Sequence, residues 1–300
     1  MNVSENEQIK LSIVIAAWNG ISSLRQCLES LEKQTDKAAT ETIVAANFQT
    51  DFSDGEFSSA IKFLNLPAGT IVPELRLAGI AAAHGKIVAL LEDHCVFDAR
   101  WSEEIKRAHK SASIVGGSVE NASVERALDW AVYFYDYGKY MLPNRAGASG
   151  TLSGINVSYK RAILDEIRET YRSGFYETFV NEELKKRGHQ LVLTPSAIVY
   201  HKKNYKTRRA AEHSYHLARS FAAQRVADSD FLKRAFFAAT SLILPVLLPA
   251  RIILATMKKG RHLKELVSAT PYLIFLMLIW SYGEFCGYLF GEGNSAGKWK

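Results

Sequence analysis

Three short apolar runs near the start of the chain constrain its fold more than any other feature. They are LSIVIAAW from Leu11, TIVAA from Thr42 and KIVALL from Lys86. Uninterrupted apolar runs of this length are typical of strands buried on both faces, as in a parallel sheet. Helical patterns separate the runs, which predicts a β-α-β beginning. A chain of 300 residues is long enough for one large α/β domain with an appendage.

A helix is predicted directly after the first run. Its apolar residues recur at helical spacing, at Ile21, Leu24, Leu28 and Leu31. Ser23, followed three residues later by Gln26, predicts a capping box for this helix. Further strands are predicted from Ser113 (SIVGGSV) and Gly154 (GINVSY), with an aromatic helix or wall between them at residues 130–140.

Each of the three apolar runs ends in polar side chains. These are Asn19, then Asn47, then the cluster Glu92, Asp93 and His94. Ligands of open α/β sheets bind beyond the carboxyl ends of the strands, so these three ends form the candidate site. Carboxylate and imidazole groups together fit Mn²⁺ or Mg²⁺ bridging a diphosphate. The alternative interpretation is a solvated turn, because charged residues are common at strand ends.

Composition indicates which cellular compartment and which classes of partner molecule suit this chain. Cys27, Cys95 and Cys286 are odd in number and far apart, which favours neither a disulfide framework nor a structural zinc site. The N-terminal segment MNVSENEQIK is polar and lacks the apolar region of a secretory signal, so we expect catalysis in the cytoplasm. The net charge of +6 is compatible with nucleic acid, anionic lipid or a phosphorylated substrate.

The C-terminal third differs in composition from the rest. Nine Lys or Arg residues lie between Lys202 and Arg234, which predicts a basic helical surface. Two apolar stretches follow, with sixteen uncharged residues between Arg234 and Arg251 and eighteen between Glu265 and Glu284. A straight membrane span needs about 20 apolar residues, and Pro245 and Pro249 interrupt the first stretch. Interfacial or re-entrant helices therefore compete with true spans.

The charges around the apolar stretches indicate which surface they meet. Basic or histidine residues separate the two stretches, at Lys258, Lys259, Arg261, His262 and Lys264. This composition argues against export of the connection across a membrane. We therefore expect a tail associated with the cytoplasmic face of the cell membrane, where anionic headgroups are the partner. Nucleic acid is not expected, because the basic stretch lacks interleaved aromatic residues.

The order of motifs along the chain resembles that of the family 2 glycosyltransferases. The corresponding segments are AAWN (16–19), AANFQTD (45–51), RLAGIAAAHG (76–85), EDHC (92–95), GIN (154–156), YETFVNEELKKRG (176–188) and PSAIVYH (195–201). The resemblance covers residues 11–201. It implies an α/β GT-A fold, which is a Rossmann-like, mostly parallel sheet flanked by helices. As in bacterial members, a membrane-associated α-helical tail follows.

The resemblance also implies roles for individual residues. Glu177 matches the family's catalytic base, although an acidic residue there also suits the N-terminus of a helix. The implied donor-binding residues are Ala16, Trp18, Asn19, Asn47, Arg76, Gly79 and Asp93. Gly154 and Asn156 are implied on the acceptor side, and Glu92, His94 and His201 as metal ligands. The Glu-Asp-His sequence is similar to the D-x-H variant of polypeptide GalNAc-transferases, in which a later histidine completes the metal site.

The activity implied is that of an inverting glycosyltransferase that uses Mn²⁺ or Mg²⁺. It would move a sugar from a nucleotide-diphosphate sugar, with UDP-sugars favoured, to a hydroxyl of a lipid-linked or cell-envelope glycan precursor. The expected organisation is a polar segment (1–10), the catalytic domain (11–201), a basic helical linker (202–234), two apolar membrane-associated helices (235–291) and a polar tail (292–300).

Two alternatives to an active glycosyltransferase remain open. Ala46 and Asn47 stand where family members use acids to hold the nucleotide base and ribose. One alternative is therefore a catalytically silent GT-A domain that serves as a membrane-bound assembly or glycan-binding protein. A nucleotidyltransferase is the other, but the first turn, AAWNG, lacks the Gly-rich, basic character that cradles a triphosphate.

Overall fold

The computed structural model describes residues 9–52, 56–57, 61–295 and 298. Packing divides the chain into two compact units. The first consists of the chain up to Glu120 together with Tyr140–Lys202. The second consists of Asn121–Lys139 together with the chain from Lys203 onwards. Asn121–Lys139 thus groups with the C-terminal helices, although it lies inside the sequence range expected for the catalytic domain.

Strands and helices alternate through the first unit, and the second unit is helical. In chain order the elements are β1 (Leu11–Ala17), α1 (Ile21–Glu32), β2 (Thr40–Ala46), β3 (Ile61–Asn65), α2 (Val72–Ala82), β4 (Ile87–Glu92), β5 (Cys95–Phe97), α3 (Trp101–Ala108), β6 (Ile114–Asn121), α4 (Ala127–Asp136), β7 (Gly147–Ala148), β8 (Val157–Lys160), α5 (Arg161–Glu166), α6 (Glu177–Lys186), β9 (Leu191–His201), α7 (Thr207–Arg225), α8 (Phe231–Ser241), α9 (Leu244–Lys259) and α10 (Leu263–Phe290). Short 3₁₀ helices span Gly138–Tyr140 and Arg168–Tyr171.

The sheet of the first unit is mixed rather than mostly parallel. Its strand order is β3-β2-β1-β4-β8-β6-β9-β5, and β7 pairs with β9. The strands from β3 to β4 pair in parallel, whereas β8 is antiparallel to both β4 and β6. Buried apolar runs form the parallel part and the antiparallel part of the sheet alike. An apolar run indicates that a strand is buried, but it does not indicate the direction of that strand. The parallel half brings the carboxyl ends of β1, β2 and β4 to one edge.

Close packing of α2 on the sheet positions the side chains at that edge. Every residue of β1 is buried, and Val14 belongs to the main core together with Ile80 of α2. A Cβ atom at Gly79 would collide with the Val14 side chain, so only glycine permits this approach of helix and strand. Gly79 therefore permits close packing of α2 on β1. This packing determines how near Arg76, one turn earlier in α2, lies to the sheet.

The turn between β1 and α1 differs from its prediction. Gly20 precedes the helix with a φ of 97°, a left-handed conformation that glycine adopts without steric cost. The helix consequently starts at Ile21, and the predicted capping box of Ser23 and Gln26 is wrong because Ser23 already lies within the first turn. The turn is held instead by Asp93, as described below.

The second unit is built around the longest helix, α10. It packs against α4, α7, α8 and α9. The helix continues through the charged residue Glu284 and ends at Phe290. Continuation is possible because the Glu284 carboxylate accepts hydrogen bonds from Trp280 Nε1 and Tyr288 Oη, both at 2.8 Å.

Among the described residues, α10 alone is a single helix long and apolar enough to cross a membrane, judged by length and composition. Half of its most apolar window is buried within the protein. Helices α8 and α9 meet the same criterion only as a pair, and they are bent by 58° at their junction.

Candidate active site

Asp93 holds the turn that follows β1. Its Oδ2 atom accepts hydrogen bonds from the backbone N–H groups of Trp18 at 2.9 Å and Asn19 at 2.7 Å. The Asn19 side chain donates a third bond, 2.6 Å long, to Oδ1. Burial raises the pKa of Asp93 to about 6, while the bonds from Asn19 and Trp18 oppose this rise. Asp93 thereby fixes two predicted donor-binding residues in place.

Arg76 lies between two carboxylates at the centre of the site. Its Nη1 contacts Glu177 Oε2 at 2.6 Å, and its Nη2 contacts Glu92 Oε1 at 2.8 Å. Nη2 also donates to the backbone oxygen of Gly154 at 2.9 Å. Burial alone would lower the pKa of Arg76, but the charges of Glu177 and Glu92 hold it above its usual value. The guanidinium is therefore a fixed positive charge.

Glu177 is the first residue of α6, and its carboxylate points back to the strand ends. The side chain is 30% exposed, so Glu177 contacts the buried Arg76 and is also accessible from solvent. A Cβ atom at Gly154 would lie 2.5 Å from the Glu177 Cδ atom. Glycine at position 154 thus provides the space that the carboxylate occupies.

A buried hydrogen bond fixes the helix that carries Glu177. Tyr159 of β8 donates from its hydroxyl to Asn181 Oδ1 at 2.8 Å. Asn181 lies four residues after Glu177, on the same side of α6. Asn181 was not among the site residues predicted from the sequence. Its signal was a lone amide between the apolar positions Val180 and Leu184.

The three predicted metal ligands lie together. The His94 and His201 rings make an edge-to-face contact with centroids 4.9 Å apart. The His94 Nδ1 atom is 3.6 Å from Glu92 Oε2 and 3.2 Å from Asn19 Nδ2. The pairing of β5 with β9 produces this meeting, because it sets Cys95 opposite His201.

These ligands do not form a metal site in the described chain. Within it, no group of three or more His, Cys, Asp or Glu side chains is arranged to hold a metal ion. The physical reason is that Glu92 uses one oxygen for Arg76 and accepts a 3.1 Å bond from Trp18 Nε1 with the other. The donor types nevertheless fit a divalent ion, because two imidazoles lie in contact beside a carboxylate.

Other predicted site residues lie away from this centre. Asn156 is fully buried, where its amide donates to Ser118 O and Ala197 O and accepts from Trp101 Nε1, each at 2.9 Å. It therefore joins β6, β9 and α3. Asn47 is half-buried and donates to Thr70 O at 2.9 Å.

Ala16 lies inside β1, next to the centre of the site. It is buried, and its backbone oxygen accepts from the N–H of Asp93 at 3.2 Å. Its contribution to the site is thus made by the backbone, which aligns the ends of β1 and β4.

Comparison with known proteins identifies the family. The sequence matches the family model described as glycosyl transferase family 2 over residues 12–168. The chain belongs to this family. No curated protein matches the sequence of this family 2 chain. The predicted resemblance is confirmed, and the protein is a glycosyltransferase by family.

Solved structures confirm the predicted fold class. One similar structure is the mannosyltransferase PcManGT from Pyrobaculum calidifontis in complex with GDP-Man and Mn²⁺. The similarity has a TM-score of 0.55 at 13% sequence identity, and it covers 93% of this chain and 87% of that chain. At this identity the likeness shows the fold alone, which is the GT-A fold.

Proposed function

We propose that this family 2 chain is an inverting glycosyltransferase that moves a sugar from a nucleotide-diphosphate sugar to a hydroxyl group. One observation carries the proposal, which is the partly exposed Glu177 carboxylate held by the buried Arg76 at 2.6 Å. A general base must present a carboxylate oxygen in a defined direction to the proton that it removes. Glu177 satisfies this requirement at the edge where open α/β sheets bind ligands.

The proposed reaction is a single displacement. Glu177 takes the proton of the acceptor hydroxyl as the acceptor oxygen attacks the anomeric carbon. The attack comes from the face opposite the diphosphate, so the configuration inverts. One carboxylate is sufficient for this mechanism. Glu92 is not a competing base, because both of its oxygens have partners in Arg76 and Trp18.

Arg76 links donor binding to the base in this proposal. A bound diphosphate carries negative charge and competes with Glu177 for the guanidinium. A weakened Arg76 contact frees the Glu177 carboxylate to accept the proton of the acceptor hydroxyl. The turn held by Asp93, with Ala16, Trp18 and Asn19, would receive the nucleotide, and Asn47 supplies an amide near its base or ribose.

The proposed enzyme uses a divalent ion, Mn²⁺ or Mg²⁺, and Glu92, His94 and His201 would hold it. When bound, such an ion neutralises the charge that develops on the leaving diphosphate. The contact between the two imidazoles and their proximity to Glu92 support this assignment. Glu92 would supply a carboxylate to the ion, with Arg76 balancing its remaining negative charge. The similar structure PcManGT contains Mn²⁺.

The donor and acceptor classes complete the proposal. UDP-sugars remain the favoured donors, and the donor in PcManGT, GDP-Man, makes GDP-sugars the first comparison. The acceptor proposed is a lipid-linked or cell-envelope glycan precursor at the cytoplasmic face of the membrane. Residues 11–201 are proposed as the catalytic domain, with Gly154 on its acceptor side. Residues 235–291 are proposed as the membrane-associated part.

A donor panel tests the proposed function. Full-length protein in detergent is heated with UDP-, GDP-, dTDP- and CMP-sugars, each with Mn²⁺ or with EDTA, and donor hydrolysis is measured in parallel. A true donor raises the melting temperature by mass action. We expect one nucleotide class to stabilise the protein only with metal and to be hydrolysed slowly. Absence of both effects for every donor would favour the silent-domain alternative.

A further inference from the structure

Helices α8 and α9 carry large apolar side chains that protrude into solvent. These side chains are each at least 55% exposed, at Phe231, Leu232, Phe236, Leu242, Ile243, Val246, Leu247, Leu254 and Met257. Apolar patches of this size on a folded protein mark an interaction surface. We name the pair of helices, from Phe231 to Lys259, the α8–α9 elbow.

The geometry of the elbow suits entry into a single leaflet. Its two helices have 11 and 16 residues, and each is shorter than the about 20 residues of a span. They are bent by 58° at their junction, where Leu242 and Ile243 are exposed. A helix pair that enters one leaflet without crossing the bilayer has an apolar bend at its deepest point and polar residues at its two outer ends. The elbow has this shape.

Helix α10 packs tightly on α7 over its C-terminal turns. A Cβ atom at Gly283 would lie 2.5 Å from the backbone oxygen of Tyr215, so the helices are in direct backbone contact. Two arginines of α7 reach across to the same end of α10. Arg219 donates to Gly291 O at 2.9 Å, and Arg225 donates to the Tyr288 hydroxyl at 2.5 Å.

The polarity of α7 excludes lipid from that end of α10. Arg219 and Arg225 of α7 lie at this contact, and Arg225 Nη1 is 3.8 Å from Glu284 Oε2 of α10. A bilayer does not surround a helix that carries so many charges. The remaining uncharged part of α10, from Leu266 to Tyr282, lies at the lower limit of span lengths, and half of the most apolar window of the helix is buried within the protein. Helix α10 is therefore the core helix of its unit, despite its length and apolar composition.

The elbow also carries positive charge. Exposed lysine and arginine residues lie on the elbow itself, at Lys233, Arg251 and Lys258. Long basic side chains reach from an apolar face to lipid headgroups, where each is attracted by anionic lipid. This arrangement favours an anionic bilayer over an apolar protein surface as the partner.

We infer that the α8–α9 elbow inserts into one leaflet of an anionic bilayer and that α10 does not cross it. This deepens the membrane location in the proposed function. It is nevertheless measured without the reaction, because vesicle binding requires neither donor nor acceptor. A failure of vesicle binding is thus distinguishable from a failure of transfer.

A matched pair of valines tests which helix meets lipid. Val246 on the elbow is 74% exposed and Val267 on α10 is 75% exposed, so Val246→Glu and Val267→Glu make equal changes at equal exposure. Full-length protein is sedimented with vesicles of phosphatidylglycerol and phosphatidylcholine. We expect Val246→Glu to weaken binding at least tenfold and Val267→Glu less than twofold. The reverse order would overturn the inference. Detergent-phase donor hydrolysis should be the same for both variants.

Insertion depth provides a second measurement. A bimane fluorophore is attached at Val246→Cys or at Leu278→Cys, which is 51% exposed on α10. Nitroxide lipids then quench it from the headgroup region or from the bilayer centre. We expect strong quenching at position 246 by the shallow nitroxide and little quenching at 278 by either. Strong quenching at 278 from the bilayer centre would show that α10 spans, and would overturn the inference.

Discussion

The guanidinium of Arg76 and the carboxylate of Glu177 form a 2.6 Å ion pair between residues 101 positions apart in sequence. The second side of the same guanidinium contacts Glu92 at 2.8 Å. One buried cation thus balances the proposed base and a proposed metal ligand. Arg76 therefore links the position of the proposed base to that of the proposed metal ligand.

Arg76→Met should destabilise the protein by about 3 kcal/mol, because Glu92 loses its buried cation. Partial exposure of Glu177 keeps the loss at the lower end of the range for broken buried pairs. Urea unfolding measures the change. Arg76→Met/Glu92→Gln should recover part of the stability, because it removes the unpaired charge. A loss below about 0.5 kcal/mol, as for an ordinary surface substitution, would contradict the arrangement.

Gly154→Ala should reduce turnover about 100-fold with little change in donor affinity. The added methyl group meets the Glu177 carboxylate, and a shift of about 1 Å in a reacting group costs roughly this factor. Initial rates at saturating donor measure the effect. The control is Gly150→Ala, since nothing lies within 4 Å of a Cβ atom at Gly150. Equal rates for the two variants would show that the space at Gly154 does not affect the position of the Glu177 carboxylate.

Asn181 and Asn47 show which features of the site could be predicted from the sequence and which could not. The apolar runs that became β1, β2 and β4 predicted the strands and the polar residues at their ends, because burial on both faces leaves an unbroken pattern. Asn181 left no comparable pattern, since its role depends on a contact with Tyr159 that only the folded chain provides. Asn47 was found at its strand end, but its bond to Thr70 was not.

The edge strand of the parallel half and the antiparallel half of the sheet were less predictable. Strand β3, with the sequence IKFLN, is partly exposed and has no clear alternation. Strand β9 was recognised only as the motif that ends in His201, because its partners β5 and β7 lie far away in sequence. The Arg76–Glu177 pair also depends on such distant pairing, so the sequence placed Arg76 near the diphosphate without its acidic partners.

His109 should make stability depend on pH. Burial, with a smaller contribution from Lys160, lowers its pKa to about 4 from a usual 6.5. The unfolded chain therefore binds a proton between these values that the folded chain does not, so stability falls as pH drops below 6.5. Between pH 7 and 5 the loss from this group is about 2 kcal/mol.

Replacement of the imidazole isolates its contribution. His109→Gln retains hydrogen-bonding groups for Ser158 and Ala112 but does not titrate. Urea unfolding at pH 7 and pH 5 should show a loss that is smaller by about 2 kcal/mol than in the unaltered protein. An identical loss in both proteins would show that His109 does not cause the pH dependence.

Metal removal should weaken donor binding, since the proposed ion would neutralise negative charge on the diphosphate. We expect His94→Ala, or EDTA with the unaltered protein, to lower donor affinity at least tenfold in calorimetry. His84→Ala is the matched control, because His84 is an exposed imidazole that contacts Glu41 away from the site. Donor affinity that does not change with EDTA would contradict the assignment of Glu92, His94 and His201 as metal ligands.

The central claim is that Glu177 removes the acceptor proton, and Glu177→Gln tests it most directly. The amide keeps the size of the side chain and a hydrogen-bonding oxygen, but it cannot act as a base. The control is Glu182→Gln on the same helix, where Glu182 pairs with Lys185 at the surface. Transfer rates and donor affinities are measured for both variants with the donor found in the panel. The account predicts that Glu177→Gln lowers kcat between about 100-fold and 10,000-fold at similar donor affinity, with Glu182→Gln unchanged. Transfer by Glu177→Gln at the rate of the control would contradict it.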